Sequence, residues 1–153
     1  MESKLNIYAD NNEYKEMAIY GMAAVYSLIE KKISSHLGEY NLSLAKFNVL
    51  MVVKHHGGEK GISQVEISEK LLVTSSNTTR LIDRISKDGF VSRFNKKDDR
   101  RVNMIRITQK GLSVIEDVWP DYSKLIDDVT SSLQEEELKQ FSNIISKWFK
   151  VLS

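Results

Sequence analysis

Between Arg80 and Lys110 the chain carries ten basic residues against four acidic ones, a net +6, although the formal charge of all 153 residues is only +1. The flanks compensate, with residues 1–79 summing to −1 and residues 111–153 to −4. Positive charge gathered into one stretch of a nearly neutral chain is the electrostatic footprint of a surface that meets phosphate. Two clusters inside it have the residue types needed to read a duplex. In the first, Ser75, Ser76, Asn77 and Thr79 are short polar groups able to donate to phosphates or base edges. Arg80 can reach a guanine bidentately, and Arg84 and Lys87, one and two turns further on, suit phosphate neutralisation. In the second, "KKDDRR", Lys96, Lys97, Arg100 and Arg101 surround two acids. An arginine there can enter a minor groove, whose negative potential attracts a guanidinium, while Asp99 can fix its direction through a charge-assisted hydrogen bond. The plainer use of such a cluster is a solubilising turn that blunts edge pairing.

Other chemistries find little support. The chain has no cysteine, which removes disulfides, thiolate metal sites, thiol redox sensing and cysteine nucleophiles. It contains no Gly-x-Ser-x-Gly elbow, phosphate-cradling glycine loop or His-Glu-x-x-His motif, so no catalytic residue is nominated, no enzyme is expected and no cofactor is called for. His36, His55 and His56 are the whole histidine inventory. An adjacent pair suits a helix end, where it favours the dipole, better than a shared metal, so no metal site is expected. No run of about 18 apolar residues occurs, and the N-terminus lacks an apolar stretch after a basic one. A cytoplasmic protein with no membrane partner is the expectation.

The elements that must position the two clusters can be read from periodicity and caps. Met17, Tyr20, Ala24, Val25, Leu28, Ile29 and Ile33 recur at helical spacing from about Asn12 to Leu37, with Gly38 placed as a left-handed cap. Ser43 should cap a second helix carrying Leu44, Phe47, Leu50 and Met51, stopped by Gly57 and Gly58. Ser63 and Glu66 have capping-box spacing, predicting a short helix that buries Val65, Ile67 and Leu71. Thr74 or Ser75 then caps another, with Leu81, Ile82 and Ile85 inward and Gly89 at its end. Two short helices joined by a tight turn form a helix-turn-helix. "FVSRF" and "VNMIRI" follow as candidate strands, Ile105 and Ile107 facing in, Met104 and Arg106 facing out. Thr108 caps a long helix bent at Pro120, the only proline, and Ser132 with Glu135 repeats the capping-box spacing before a last helix. The fold class is therefore mainly α with a small β-wing, a winged helix-turn-helix flanked by long helices. One domain is expected over residues 12–152, with its winged core at about 43–110 and flanking helices at about 12–37 and 109–152. The wide apolar stripes of the first and last helices, with Phe141, Ile145, Trp148 and Phe149 near the C-terminus, exceed what a monomer readily covers and point to a homodimer.

The run from "LLVTSSNTTRLIDRISKDGFVSR" through "DDRRVNMIRITQKG" resembles the winged helix of the MarR family of bacterial transcription regulators. The family's Asp-x-Arg wing signature matches Asp99 and Arg101, and its following threonine and glycine match Thr108 and Gly111. The likeness covers nearly the whole chain. It implies a homodimer with interlocked first and last helices, two reading helices about 34 Å apart on one face of double-stranded DNA, and a pseudo-palindromic operator. It also implies a response to a small amphipathic, often phenolic, effector between the dimer helices and the winged lobe; of repression and activation at a promoter, repression is the expectation on steric grounds. Tyr20, Met22, Tyr26, His36, Trp119 and Tyr122 are the candidates to line that site. The family's cysteine-based oxidant sensing cannot carry over. A winged helix used only as a protein-interaction module is the alternative.

Overall fold

The computed structural model of the chain describes residues 13–71, 74–96 and 99–152, with the side chains of Glu13, Ser75, Lys96 and residues 99–101 outside that description. Among these residues six helices and three strands run in the order α1 (Glu13–Glu39), α2 (Leu44–Gly57), β1 (Ile62–Ser63), α3 (Gln64–Leu71), α4 (Ser75–Lys87), β2 (Val91–Lys96), β3 (Asp99–Ile107), α5 (Gln109–Thr130) and α6 (Glu135–Leu152). The chain divides into two compact units that meet in sequence at Trp119 and Pro120. The first unit contains the helix-turn-helix and wing, and the second the remainder of α5 with α6.

Most starts and stops follow from local chemistry. Ser43 caps α2, its hydroxyl accepting from the Lys46 N–H at 3.3 Å. The capping box at α3 is complete: the Ser63 N–H donates to Glu66 Oε2 at 2.9 Å, and the Glu66 N–H donates to Ser63 Oγ at 3.2 Å. At the end of α4, Gly89 takes the left-handed conformation (φ 77°), Gly89 N–H bonds the Ser86 carbonyl and Phe90 N–H bonds that of Ile85. This is a Schellman closure.

The same closure ends α1, but at Asn41 (φ 57°) and not at Gly38, which stays helical. Asn41 N–H bonds the Gly38 carbonyl and Leu42 N–H that of Leu37, each at 3.0 Å. Leu37 and Leu42, the two residues joined by the outer bond of this motif, are both buried, as the apolar pairing that accompanies it requires. Val65 also departs from expectation: it is 62% exposed while Ile67 is fully buried. Two residues span about 200° of helix, so burying one turns the other outward. Leu71, Leu81 and Ile107 are half-buried.

The wing has a third strand that was not foreseen. β1, two residues long, pairs antiparallel with β3 through Ile62 with Ile105 and Ser63 with Met104, giving the order β1-β3-β2. In β2–β3, Val91 faces Ile107, Arg93 faces Ile105 and Phe94 faces Met104, with an irregularity between Asn95 and Lys96. Around this sheet Leu37, Phe47, Leu50, Val53, Ile67, Ile82, Ile85, Ile105, Ile115 and Val118 are essentially inaccessible and form the core of the first unit.

α5 begins at Thr108, whose hydroxyl accepts from the Gly111 N–H at 3.1 Å and donates to the Gly89 carbonyl at 2.7 Å. A Cβ at Gly111 would lie 2.2 Å from the Phe90 carbonyl oxygen, so no other residue fits there without displacing backbone. The helix continues through Pro120. α6 starts two residues later than Ser132 and Glu135 suggest: Gln134 N–H donates to Glu137 Oε2 at 2.7 Å, and Leu138 N–H bonds the Gln134 carbonyl. The competing pair sits where the first helical turn can actually form. No residue of α6 is buried.

Candidate nucleic-acid interface

α4 is the element on which the first cluster rides. Thr78, Ile82 and Ile85 point into the core with no measurable exposure. At 100° per residue the opposite face then carries Ser76, Asn77, Arg80, Arg84 and Lys87, all exposed. None of the three cations has an ion-pair partner among the described residues. Thr79 differs. It is half-buried, and its hydroxyl accepts from Gln64 Nε2 at 2.5 Å. The side chain of Ser75 lies outside the described residues.

The start of α4 is open in a way that those of α2, α3 and α5 are not. Thr74 is its N-cap residue, but its hydroxyl lies 3.2 Å from Ser76 Oγ and makes no bond to the first-turn N–H groups. No acidic residue occupies that turn. The Thr74 hydroxyl therefore leaves the first-turn N–H groups uncapped, and the positive end of the helix dipole lies beside Ser76 and Asn77.

α4 is secured at its flank and far end. Asp83 Oδ1 pairs with Arg93 on β2 at 2.5 Å. Asp88, the C-cap, is held by Lys46 Nζ of α2 through its carboxylate at 2.6 Å and by Lys110 Nζ of α5 through its carbonyl at 2.7 Å. Lys110 also lies 5.2 Å from the Phe90 ring centre. Arg93 and Lys110, counted with the cationic stretch in the sequence, are thus engaged within the fold. Sequence reasoning assigned no role to Gln64, Lys46, Asp88 or Arg93 as fasteners, because each partner is distant in sequence and no local pattern marks it.

The second cluster falls at the closing end of the β2–β3 hairpin, where Lys96 stands opposite Asp99 in the backbone register. Lys97 lies outside the described residues, and so do the side chains of Lys96, Asp99, Arg100 and Arg101. On the outer face of the sheet, Arg106 lies 4.6 Å above the Phe94 ring. That pair, with Val102, Met104, Gly61 and Lys60, lines an open groove of about 860 Å³ that the sequence did not announce.

The remaining candidates are dispersed. Met22 and Tyr26 are exposed on one side of α1, in line with Ile33, while helical spacing turns Tyr20 away from them. His36 is half-buried, its ring edge-on to Tyr40 at 5.4 Å and its Nε2 buried without a hydrogen-bond partner among the described residues. Trp119 closes the first unit, 44% exposed, and Tyr122 belongs to the second. His55 and His56 occupy the last turn of α2 beside Lys54. Phe141 and Phe149 are about half exposed on α6, with Ile145 and Trp148 half-buried. Among the described residues no cluster of three metal-ligating side chains occurs, and no helix is long and apolar enough to cross a membrane.

Comparison with known proteins places this geometry. The sequence model of the MarR family matches residues 42–102, from the end of the α1 turn into β3. The chain is similar to the transcriptional repressor YetL of Bacillus subtilis, 30% identical over 129 residues that cover 82% of this chain and 77% of YetL. It is also similar to the transcriptional regulator MhqR of the same organism, 28% identical over 126 residues, covering 82% and 85%. Among solved structures, a cysteine-to-serine variant of Escherichia coli MarR in complex with operator DNA shares the fold with a TM-score of 0.81 at 21% identity, over 91% of this chain and 98% of that one. By the match to the family's sequence model and the extent of the likeness to YetL, this chain belongs to the MarR family.

Proposed function

We propose that the chain is a sequence-specific regulator of transcription that binds double-stranded DNA as a homodimer, acting as a ligand-responsive repressor at a pseudo-palindromic operator. The observation that carries the reading is α4: one face buried, the other a row of short polar and cationic side chains led by an uncapped helix start. Such a helix fits a major groove, with Asn77 and Arg80 at base edges and Arg84 and Lys87 on phosphates. Lys96, Lys97, Arg100 and Arg101 at the hairpin end serve the neighbouring minor groove, with Asp99 orienting an arginine. The operator complex of the Escherichia coli relative and the repressor name of YetL support the same direction.

Dimerisation is supported by apolar surface that one chain leaves uncovered. Ile19, Val25, Tyr26 and Leu28 on α1, and Phe141, Ile144, Phe149 and Val151 on α6, are each about half exposed or more. A second copy covers such surface at a stable interface. Residues 12–152 then act as one regulatory domain. Tyr20, Met22, Tyr26, His36, Trp119 and Tyr122 remain the candidates for contact with an amphipathic or phenolic effector.

Selection of bound sequences from a random duplex pool at near-physiological salt tests the whole reading. An enriched inverted repeat with half-sites one helical turn apart is the expected outcome. Enrichment of nothing overturns it in favour of a winged helix used only for protein contacts.

A further inference from the structure

Thr79 and Asp83 are one turn apart on the same flank of α4, between its buried and exposed faces. Each is tied by its side chain to a different element. The Thr79 hydroxyl is held by Gln64, the first residue of α3, at 2.5 Å, and Asp83 by Arg93 of β2 at 2.5 Å. The core side chains Ile82 and Ile85 resist pulling the helix away, but branched apolar contacts constrain rotation about the helix axis only weakly, since they are non-directional. Hydrogen bonds and ion pairs are directional. Two of them on one flank, pulling toward α3 and toward the sheet, fix the azimuth of the exposed row, Asn77, Arg80 and Arg84.

We infer that Gln64, Thr79, Asp83 and Arg93 are positioning residues for sequence discrimination: they set the roll of α4, and thereby which base edges the exposed row reaches. The inference rests on the proposed DNA reading and deepens it. A roll error of one residue's width moves an arginine off a bidentate pair but leaves it near the phosphates, which a flexible side chain still reaches. Loss of these ties therefore lowers affinity for the preferred duplex while sparing general affinity for DNA.

The test uses the full chain and two duplexes, the one selected from the random pool and a scrambled one, with affinities measured across a salt series. In Gln64→Ala and in the near-isosteric Thr79→Val, the ratio of selected to scrambled affinity falls about tenfold, and in Gln64→Ala affinity for the scrambled duplex and the salt slope stay unchanged. Thr79→Ser, which keeps the hydroxyl, retains the full ratio. Asp83→Arg and Arg93→Asp each lower the ratio, and combining them restores part of it. Unchanged helical circular dichroism checks that each variant is folded. A wild-type chain that selects a duplex while Gln64→Ala and Thr79→Val keep its full ratio overturns the inference alone. A parallel fall in both affinities also overturns it, because that is what a merely structural role produces. A wild-type chain that prefers no duplex overturns the DNA reading and the inference with it.

Discussion

The winged lobe and the last helix are built by opposite rules. In the lobe, α2, α3, α4 and the sheet close on each other until Leu50, Ile67, Ile85 and Ile105 have no exposure, and among its described residues Val65 is the one large apolar side chain left mostly outside. In α6 no residue is buried, and Phe141, Ile144, Val151 and Leu152 are 53–78% exposed. The lobe has a closed core; α6 leaves an apolar face open, which the proposed second copy would cover. The difference separates what one chain stabilises by itself from what the proposed dimer would stabilise, and it separates changes that act within a chain from changes that act between chains.

Truncation in the two regions gives the sharpest break. Ile105→Ala removes a fully buried side chain at the centre of the sheet and costs roughly 2–5 kcal/mol in denaturant unfolding, independent of protein concentration. Ile144→Ala leaves unfolding of the isolated chain nearly unchanged, and its cost appears as weaker self-association in sedimentation and as concentration-dependent melting. Equal, concentration-independent losses would erase the distinction. Next in size, Gly111→Ala drives a methyl into the Phe90 carbonyl and lowers lobe stability by about 1–3 kcal/mol, read as a lower Tm. Within the exposed row of α4, Arg80→Ala costs about 1–3 kcal/mol at the selected duplex and relaxes preference at one position, while Lys87→Ala weakens all duplexes alike and reduces the salt slope by about 1. Smallest is the contrast between helix starts. Ser43→Ala loses a cap bond and about 1 kcal/mol, whereas Thr74→Ala, with no such bond to lose, stays within about 0.5 kcal/mol in the same urea titration.

The parts of the fold that a sequence announces are those decided locally. Ser43, the Ser63–Glu66 box, Gly89 and Thr108 each mark a boundary through a bond spanning a few residues, and the structure has all four. Where two local solutions compete, spacing cannot choose: Ser132 with Glu135 and Gln134 with Glu137 have the same spacing, and it is the second glutamate that accepts at the helix start, although Gln134 lacks the hydroxyl of a full capping box. Gly38 looked like a cap because glycine tolerates the left-handed region, but Asn41 tolerates it too and brings Leu42 onto Leu37. β1 is invisible because two residues show no alternation and exist as a strand only through β3. At the interface the exposed row of α4 was readable from helical spacing. Its fasteners were not, because Gln64 meets Thr79 and Arg93 meets Asp83 only after the chain has folded.

The joint at Thr108 and Gly111 has a mechanical consequence. With the Phe90 carbonyl filling the place of a side chain and the Thr108 hydroxyl bridging two segments, the root of the hairpin is welded to the first turn of α5. The six residues of β2, at about 3.3 Å each, form an arm of roughly 20 Å. A tilt of about 5° at the root therefore swings the arm's far end by about 2 Å, as much as separates a made hydrogen bond from a lost one. A helix that turns slightly at its base acts as the short end of a lever whose long end is the wing.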